Sequence, residues 1–183
     1  VGARHLHGVI SCSSGPEAQP LTMIVYNCRI TGHEMISDSY AHEDCGVTGL
    51  FKVRSQFVTE GGGPIAGVDE EGDDQAELVN NVEAAARLQE FSFDNKAQFK
   101  EWFKGLAQAI RKKLKEDPDV DQAGVKAWMS NCQGILKWVN DNWSDLQFYT
   151  NPDFDIEGTM AFAIHQEEKD FYFMSDTLKA VKF

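Results

Sequence analysis

A chain of 183 residues, 42% of them hydrophobic, is long enough to bury one sizeable core, and one domain with tails is expected. A formal charge of -12 and a pI near 4.7 work against a general nucleic-acid binder, because phosphate contacts need a basic field. No apolar run approaches the roughly 20 residues that a membrane span requires.

Residues 1–22 are small and polar, include Gly15-Pro16 and Pro20, and show no apolar period. They read as a disordered leader or an expression remnant, with Met23 as the natural start and 23–183 as the folded domain. From Ile24 to Ile30 the chain is β-prone, and Thr31-Gly32 turns it. Met35 to Tyr40 continues extended, and Leu50 to Arg54 and Gln56 to Thr59 alternate as half-buried strands do. Gly61-Gly62-Gly63-Pro64 breaks regular structure. Asp69 to Glu77 then carries six acids and no base, so 61–77 is expected to be a mobile acidic loop. Over Val79 to Phe93, propensity alone favours helix across Glu83 to Leu88.

The stretch 94–143 organises the rest. Phe99, Trp102, Phe103, Leu106, Ile110 and Leu114 recur at three- and four-residue steps, which places them on one helix face. Asp94 is the expected cap, and Asp117-Pro118 the stop, because a residue before proline avoids helical dihedrals. Val125, Trp128, Met129, Cys132, Ile135, Leu136, Val139 and Trp143 repeat the pattern after a cap at Asp119 or Asp121. Two long amphipathic segments with so short a link predict an antiparallel helical hairpin. Trp138 points off the apolar stripe, either to cover a sheet or to stand exposed as an anchor.

Lys96, Lys100, Lys104, Arg111 and Lys115 fall, at about 100° per residue, in one stripe beside the apolar face. Lys112 and Lys113 thicken its end. This span holds seven of the chain's 17 basic residues. It reads as a solvated helix face or as a docking surface for an acidic partner such as a protein tail. After the hairpin, Leu146 to Thr150 is a strand, and Thr159 to His165 and Phe171 to Met174 flank a polar turn as a β-hairpin. Strands, two helices and strands again make an α+β domain.

Enzyme motifs are absent from the local sequence. His33-Glu34 lacks the second histidine of a zinc-protease motif, since Ser37 stands there, and Gly61 to Gly67 lacks the ending of a phosphate loop. His5 and His7 read as an inert tail pair. Cys12, Cys28, Cys45 and Cys132 form no Cys-x-x-Cys pair and read as reduced cytosolic thiols. Asp153, Asp155, Glu157 and Gly158 follow the first half of a calcium loop. The bidentate glutamate expected six residues after Gly158 is Ile164, so a solvated acidic loop stands beside a weak calcium site.

Met23-Ile24-Val25-Tyr26, His33-Glu34-Met35-Ile36-Ser37-Asp38, Gly49-Leu50, Leu88-Gln89-Glu90, Asn151-Pro152-Asp153 and Gly158-Thr159-Met160-Ala161 appear in an order that resembles the translationally controlled tumour protein family. The resemblance spans Met23 to Phe183. It implies a β-tent of twisted antiparallel sheets bearing a long antiparallel helical hairpin, with Val79 to Phe93 largely strand. It also implies a cytoplasmic multi-partner binding protein rather than an enzyme, acting in growth and survival regulation, with no obligatory cofactor and no membrane or nucleic-acid partner. Its expected partners are tubulin, translation elongation factors, a Rheb-type small GTPase and weakly bound calcium.

Carried onto this chain, the resemblance assigns Glu34, with Asp38 beside it, to the GTPase contact. Lys96, Lys100, Lys104, Arg111, Lys112 and Lys115 correspond to the tubulin-linked region, and Asp145, Asp153, Asp155 and Glu157 to weak calcium binding. Two departures are Gly63 to Gly67, which replaces the family's loop signature, and Phe154 to Glu157, which separates Asp153 from Gly158. The alternatives from other classes are a methionine sulfoxide reductase on the same tent, for which Cys132 is the last available thiol, and a calcium buffer.

Overall fold

A computed structural model describes residues 23–59, 78–165 and 169–183. The expected leader (1–22) and acidic loop (61–77) lie outside the described residues. In chain order the first strands are β1 (Ile24–Cys28), β2 (Glu34–Ser37), β3 (His42–Asp44), β4 (Leu50–Arg54), β5 (Phe57–Thr59) and β6 (Leu78–Asn80). Helix α1 (Asn81–Ala86) and strand β7 (Gln89–Phe91) lead into α2 (Lys96–Glu116) and α3 (Gln122–Asp141). Strands β8 (Leu146–Thr150), β9 (Ala161–His165), β10 (Lys169–Met174) and β11 (Leu178–Lys182) complete the chain.

Among the described residues all strand pairings are antiparallel. They build a six-stranded sheet in the order β3-β4-β10-β9-β8-β7, a three-stranded sheet β11-β1-β2 and the pair β5-β6. The expected β9–β10 hairpin is present, with Phe171 opposite Ala163.

Strand alternation explains why this sheet is covered on both sides. Phe162, Phe148, Met174 and Leu50 join one core with the buried faces of α2 and α3. Their strand neighbours Ala163, Tyr149, Phe173 and Val53 join a second core with Cys28, Ile36 and Leu178 of the smaller sheet and Val82 of α1. The sheet is thus the middle layer between the helical hairpin and the smaller sheet.

Between Val79 and Phe93 the expectation of mostly strand is corrected. Two three-residue strands flank α1, and the local helix propensity prevails over residues 81–86. The Asn80 side chain accepts from the amides of Val82 and Glu83 at 3.0 and 3.3 Å, and Arg87 ends the turn in the left-handed region at φ 51°. The cap of α2 is likewise Asn95 rather than Asp94, accepting from Ala97 and Gln98 at 3.0 Å each. Asp121 caps α3. Asp117 lies in the extended region at ψ 115°, so the helix stops before Pro118 as expected.

The hairpin lies on the tent and is tied at both ends. At its base Phe99 packs against Phe93, Trp143 and Phe148 with ring centroids 5.4, 5.7 and 5.5 Å apart. Trp138 resolves to the sheet-covering alternative, 4.7 Å from the Tyr172 ring and 6.2 Å from Phe162. At the turn between the helices, one Asp117 oxygen receives Arg29 Nη1 at 2.6 Å and Lys179 Nζ at 3.2 Å. Arg29 follows β1 and Lys179 lies on β11, so this contact binds the turn to the smaller sheet.

Hydrogen bonds from Arg29 and from the Asp119 amide, with Lys179 adding its charge, hold the Asp117 carboxyl down at about 2. A carboxyl lowered in the folded state contributes stability that is complete above its unfolded value and is lost as pH falls through the folded one. Asp117→Asn is therefore expected to melt below the wild type at pH 6, by roughly 5 °C. The gap should narrow between pH 4 and about 2, where thermal denaturation monitored by circular dichroism would check it.

Candidate docking surface on the helical hairpin

Helix α2 buries Phe99, Phe103, Leu106, Ala107, Ile110 and Leu114, and this leaves the adjoining flank to the basic residues. Lys96, Lys100, Lys104, Arg111, Lys112 and Lys115 are all exposed. Lys96 donates from Nζ to the Asn140 carbonyl at 3.1 Å and sits 5.8 Å from the Trp143 ring centre. That contact places the start of the stripe beside the end of α3, as an antiparallel pair requires. Lys112 reaches Glu116 only at 4.0 Å, one helical turn away. Lys100, Lys104, Arg111 and Lys115 have no ion pair or hydrogen bond among the described residues.

At the far end of the stripe the two helices leave a groove of about 380 Å³. Arg111 and Lys115 line it from α2, Val120 and Asp121 from the turn, and Gln122, Val125 and Lys126 from α3. Sequence reasoning missed Lys126. It lies on the second helix, and only the pairing of the helices brings it to the stripe. With three cations against the one carboxylate of Asp121, over valine side chains, the groove suits a carboxylate-rich segment that carries an apolar side chain.

The acidic candidates sit elsewhere. Glu34 opens β2, an edge strand of the smaller sheet, and Asp38 follows its end; both are exposed. The Asp38 amide donates to the Ile24 carbonyl at 2.9 Å, which continues the pairing with β1 and holds that end of the edge in place. Next to Glu34, His33 Nε2 meets Asp153 Oδ2 at 3.2 Å and links this edge to the loop after β8.

That loop is wound around a buried asparagine. Asn151 Oδ1 accepts from the amides of Asp153 and Asp155 at 3.1 Å each, and Nδ2 donates to the Asp155 carbonyl at 3.1 Å. The expected calcium ligands are not gathered into one set. Asp153 faces His33, Asp155 Oδ1 accepts from the Glu157 amide at 3.0 Å, and Asp145 belongs to the separate turn after α3. Among the described residues, no three Asp, Glu, His or Cys side chains are grouped so as to hold a metal ion. Two of the alternating acids that resembled a calcium loop in sequence, Asp153 and Asp155, have partners within the protein here.

Cys132, the thiol of the reductase alternative, is buried in the hairpin core. Burial, with Asp176 nearby, pushes it up to about 11, which keeps it protonated at neutral pH. No helix among the described residues is long and apolar enough to cross a membrane.

Residues 23–179 match the family model for translationally controlled tumour protein. A translationally controlled tumour protein homolog of Kluyveromyces lactis is 31% identical over 159 residues, covering 80% of this chain and 89% of the relative. The solved structure of the tumour-associated protein p23fyp from Schizosaccharomyces pombe superposes with a TM-score of 0.70 at 26% identity, over 87% of this chain and 99% of that one. The Caenorhabditis elegans protein shares the fold, with a TM-score of 0.60 at 18% identity over 87% and 98% of the two chains. With the expected arrangement of antiparallel sheets and paired helices in place, and with matches of this extent, the chain belongs to the translationally controlled tumour protein family.

Proposed function

We propose that this chain is a cytoplasmic adaptor that recruits acidic protein segments to the α2 stripe, with the carboxy-terminal tails of tubulin as the leading partner. The observation that carries the reading is the row Lys100, Lys104, Arg111 and Lys115, which have no ion pair among the described residues, on a molecule of net charge -12. Cations without internal partners keep their full field for a visitor, while the acidic remainder of the surface repels wrongly oriented approaches. Contacts of this exposed kind weaken as salt shortens the screening length. Glu34 and Asp38 form a second, acidic contact for a small GTPase in the same proposal, with translation elongation factors among the other partners. Calcium has no step in it, because the candidate ligands are dispersed.

The test is fluorescence anisotropy with a labelled glutamate-rich tubulin-tail peptide at low and high salt. Lys100→Glu, Lys104→Glu and Arg111→Glu together are expected to weaken binding by about tenfold to a hundredfold at low salt, and the difference should shrink at high salt. Equal affinity for wild type and variant would remove the stripe from the mechanism. Glu34→Val tests the other surface: it should reduce capture of the GTPase while leaving the melting temperature nearly unchanged, since the side chain is exposed.

A further inference from the structure

A second groove, of about 390 Å³, lies on the opposite flank of α2, against the loop wound around Asn151. Ile30, Trp102, Leu106, Ala109 and Ile156 make its surface predominantly apolar. The Trp102 indole N–H donates to the Ile156 carbonyl at 2.6 Å and clamps the loop to the helix. Beside the groove Ile156 is 47% exposed and Phe154 55%, so two large apolar side chains of one short loop face water together. Isolated exposed apolar residues are ordinary, but Ile156 also lines an apolar cleft, which is where an interaction surface is looked for.

Gly105 adds an independent observation. It sits within α2 and lines this groove, yet a Cβ built there would meet nothing within 4 Å. Its φ is not positive either, so neither crowding nor backbone conformation calls for glycine. Glycine is the poorest helix former after proline, and alanine would fit without contact. A side chain at this position would stand in the groove.

The rim carries charge of one sign. Glu101 and Glu157 line the groove from its two sides, and Asp153 and Asp155 belong to the same loop. An apolar trough between carboxylates complements a side chain that is apolar at its centre and cationic at its flanks. We propose that this groove docks a cationic peptide segment bearing an apolar anchor, with the anchor over Gly105 and its lysines or arginines against Glu101 and Glu157. The site is separate from the stripe and of opposite charge, so the hairpin would hold an acidic segment on one flank and a basic one on the other.

The probe is a labelled peptide of about 12 residues with lysine and leucine at helical spacing. Two controls accompany it, one with glutamate for every lysine and one with serine for every leucine. Anisotropy gives affinity, and the Trp102 indole N–H resonance reports the groove itself. The lysine–leucine peptide should bind and move that resonance, whereas the glutamate–leucine peptide, which the stripe on the other flank would take, should leave it in place. Gly105→Leu should fill the trough and weaken the lysine–leucine peptide about tenfold, leaving the weaker lysine–serine peptide unchanged. Glu101→Gln with Glu157→Gln should weaken it several-fold, while the charge-reversed stripe variant should retain it. Gly105→Ala serves as the folding control and should melt at a higher temperature than the wild type. Unchanged affinity in Gly105→Leu, or a Trp102 resonance that does not move at saturation, would overturn the proposal by showing that the peptide binds only the general negative field.

Discussion

Trp128→Ala is expected to destabilise the protein by about 4 kcal/mol, the largest effect of any substitution considered for this fold. Trp128 is fully buried between the helices, its ring centroid 6.4 Å from that of Phe103. Its indole N–H donates across the hairpin to the Ala107 carbonyl at 3.0 Å. Truncation removes the largest fully buried side chain among the described residues and leaves a void that Phe103, itself fully buried, can fill only by leaving a good rotamer. Trp128→Phe keeps most of the packing and loses the hydrogen bond, so about 1–2 kcal/mol is expected. Urea unfolding monitored by far-ultraviolet circular dichroism separates the two. A midpoint for Trp128→Ala close to the wild type would mean that the helices are not held together by this contact.

The second large effect belongs to Asn151→Ala, at about 3 kcal/mol. A buried side chain here satisfies two amides and one carbonyl of its own loop, and alanine satisfies none of them. The Asp155 carbonyl retains the Thr150 hydroxyl at 3.2 Å, but the Asp153 and Asp155 amides lose their only acceptor among the described residues. The loss extends beyond stability. The same loop carries Asp153 to His33 and Ile156 to Trp102, so both contacts should loosen with it. Amide hydrogen exchange should therefore accelerate at Asp153 and Asp155 well beyond any change in α2. Asn151→Asp keeps the acceptors but sets a carboxylate against the Asp155 carbonyl where an N–H stood. It should be destabilising at neutral pH and recover as the new carboxylate is protonated in acid. Uniform acceleration across the chain would instead indicate global unfolding, with no special place for the loop.

These two residues show different degrees of legibility. Trp128 stands in a repeat of apolar residues at helical spacing, and its burial follows from that period. Asn151 carries no comparable signal. It was visible only as part of an Asn-Pro-Asp motif, and its value lies in bonds that appear when the loop closes. The same contrast holds for the caps. Asp94 and Asn95 are equally able to accept amide hydrogen bonds, and which one does so depends on where the chain leaves β7. The intrinsic preference placed helix over Glu83 to Leu88; the helix forms over Asn81–Ala86, two residues earlier, and the expectation of strand drawn from family resemblance was not met. The acids at Asp153, Asp155 and Glu157 allowed either a solvated loop or a weak calcium site from their spacing, and only the folded loop shows Asp153 beside His33 and Asp155 accepting from the Glu157 amide.

Local order along the chain determined the paired helices, their stop at Asp117-Pro118, the β9–β10 hairpin and the cationic flank of α2, because each rests on periodicity or backbone chemistry within a few residues. Tertiary structure alone decided where that hairpin lies. The tie between Arg29 and Asp117 joins positions 88 apart, the clamp between Trp102 and Ile156 joins positions 54 apart, and Lys126 meets the stripe only across the helix interface. Such contacts depend on how sheets and helices stack, and the solvent exclusion that selects one stacking acts on summed buried area rather than on any local pattern.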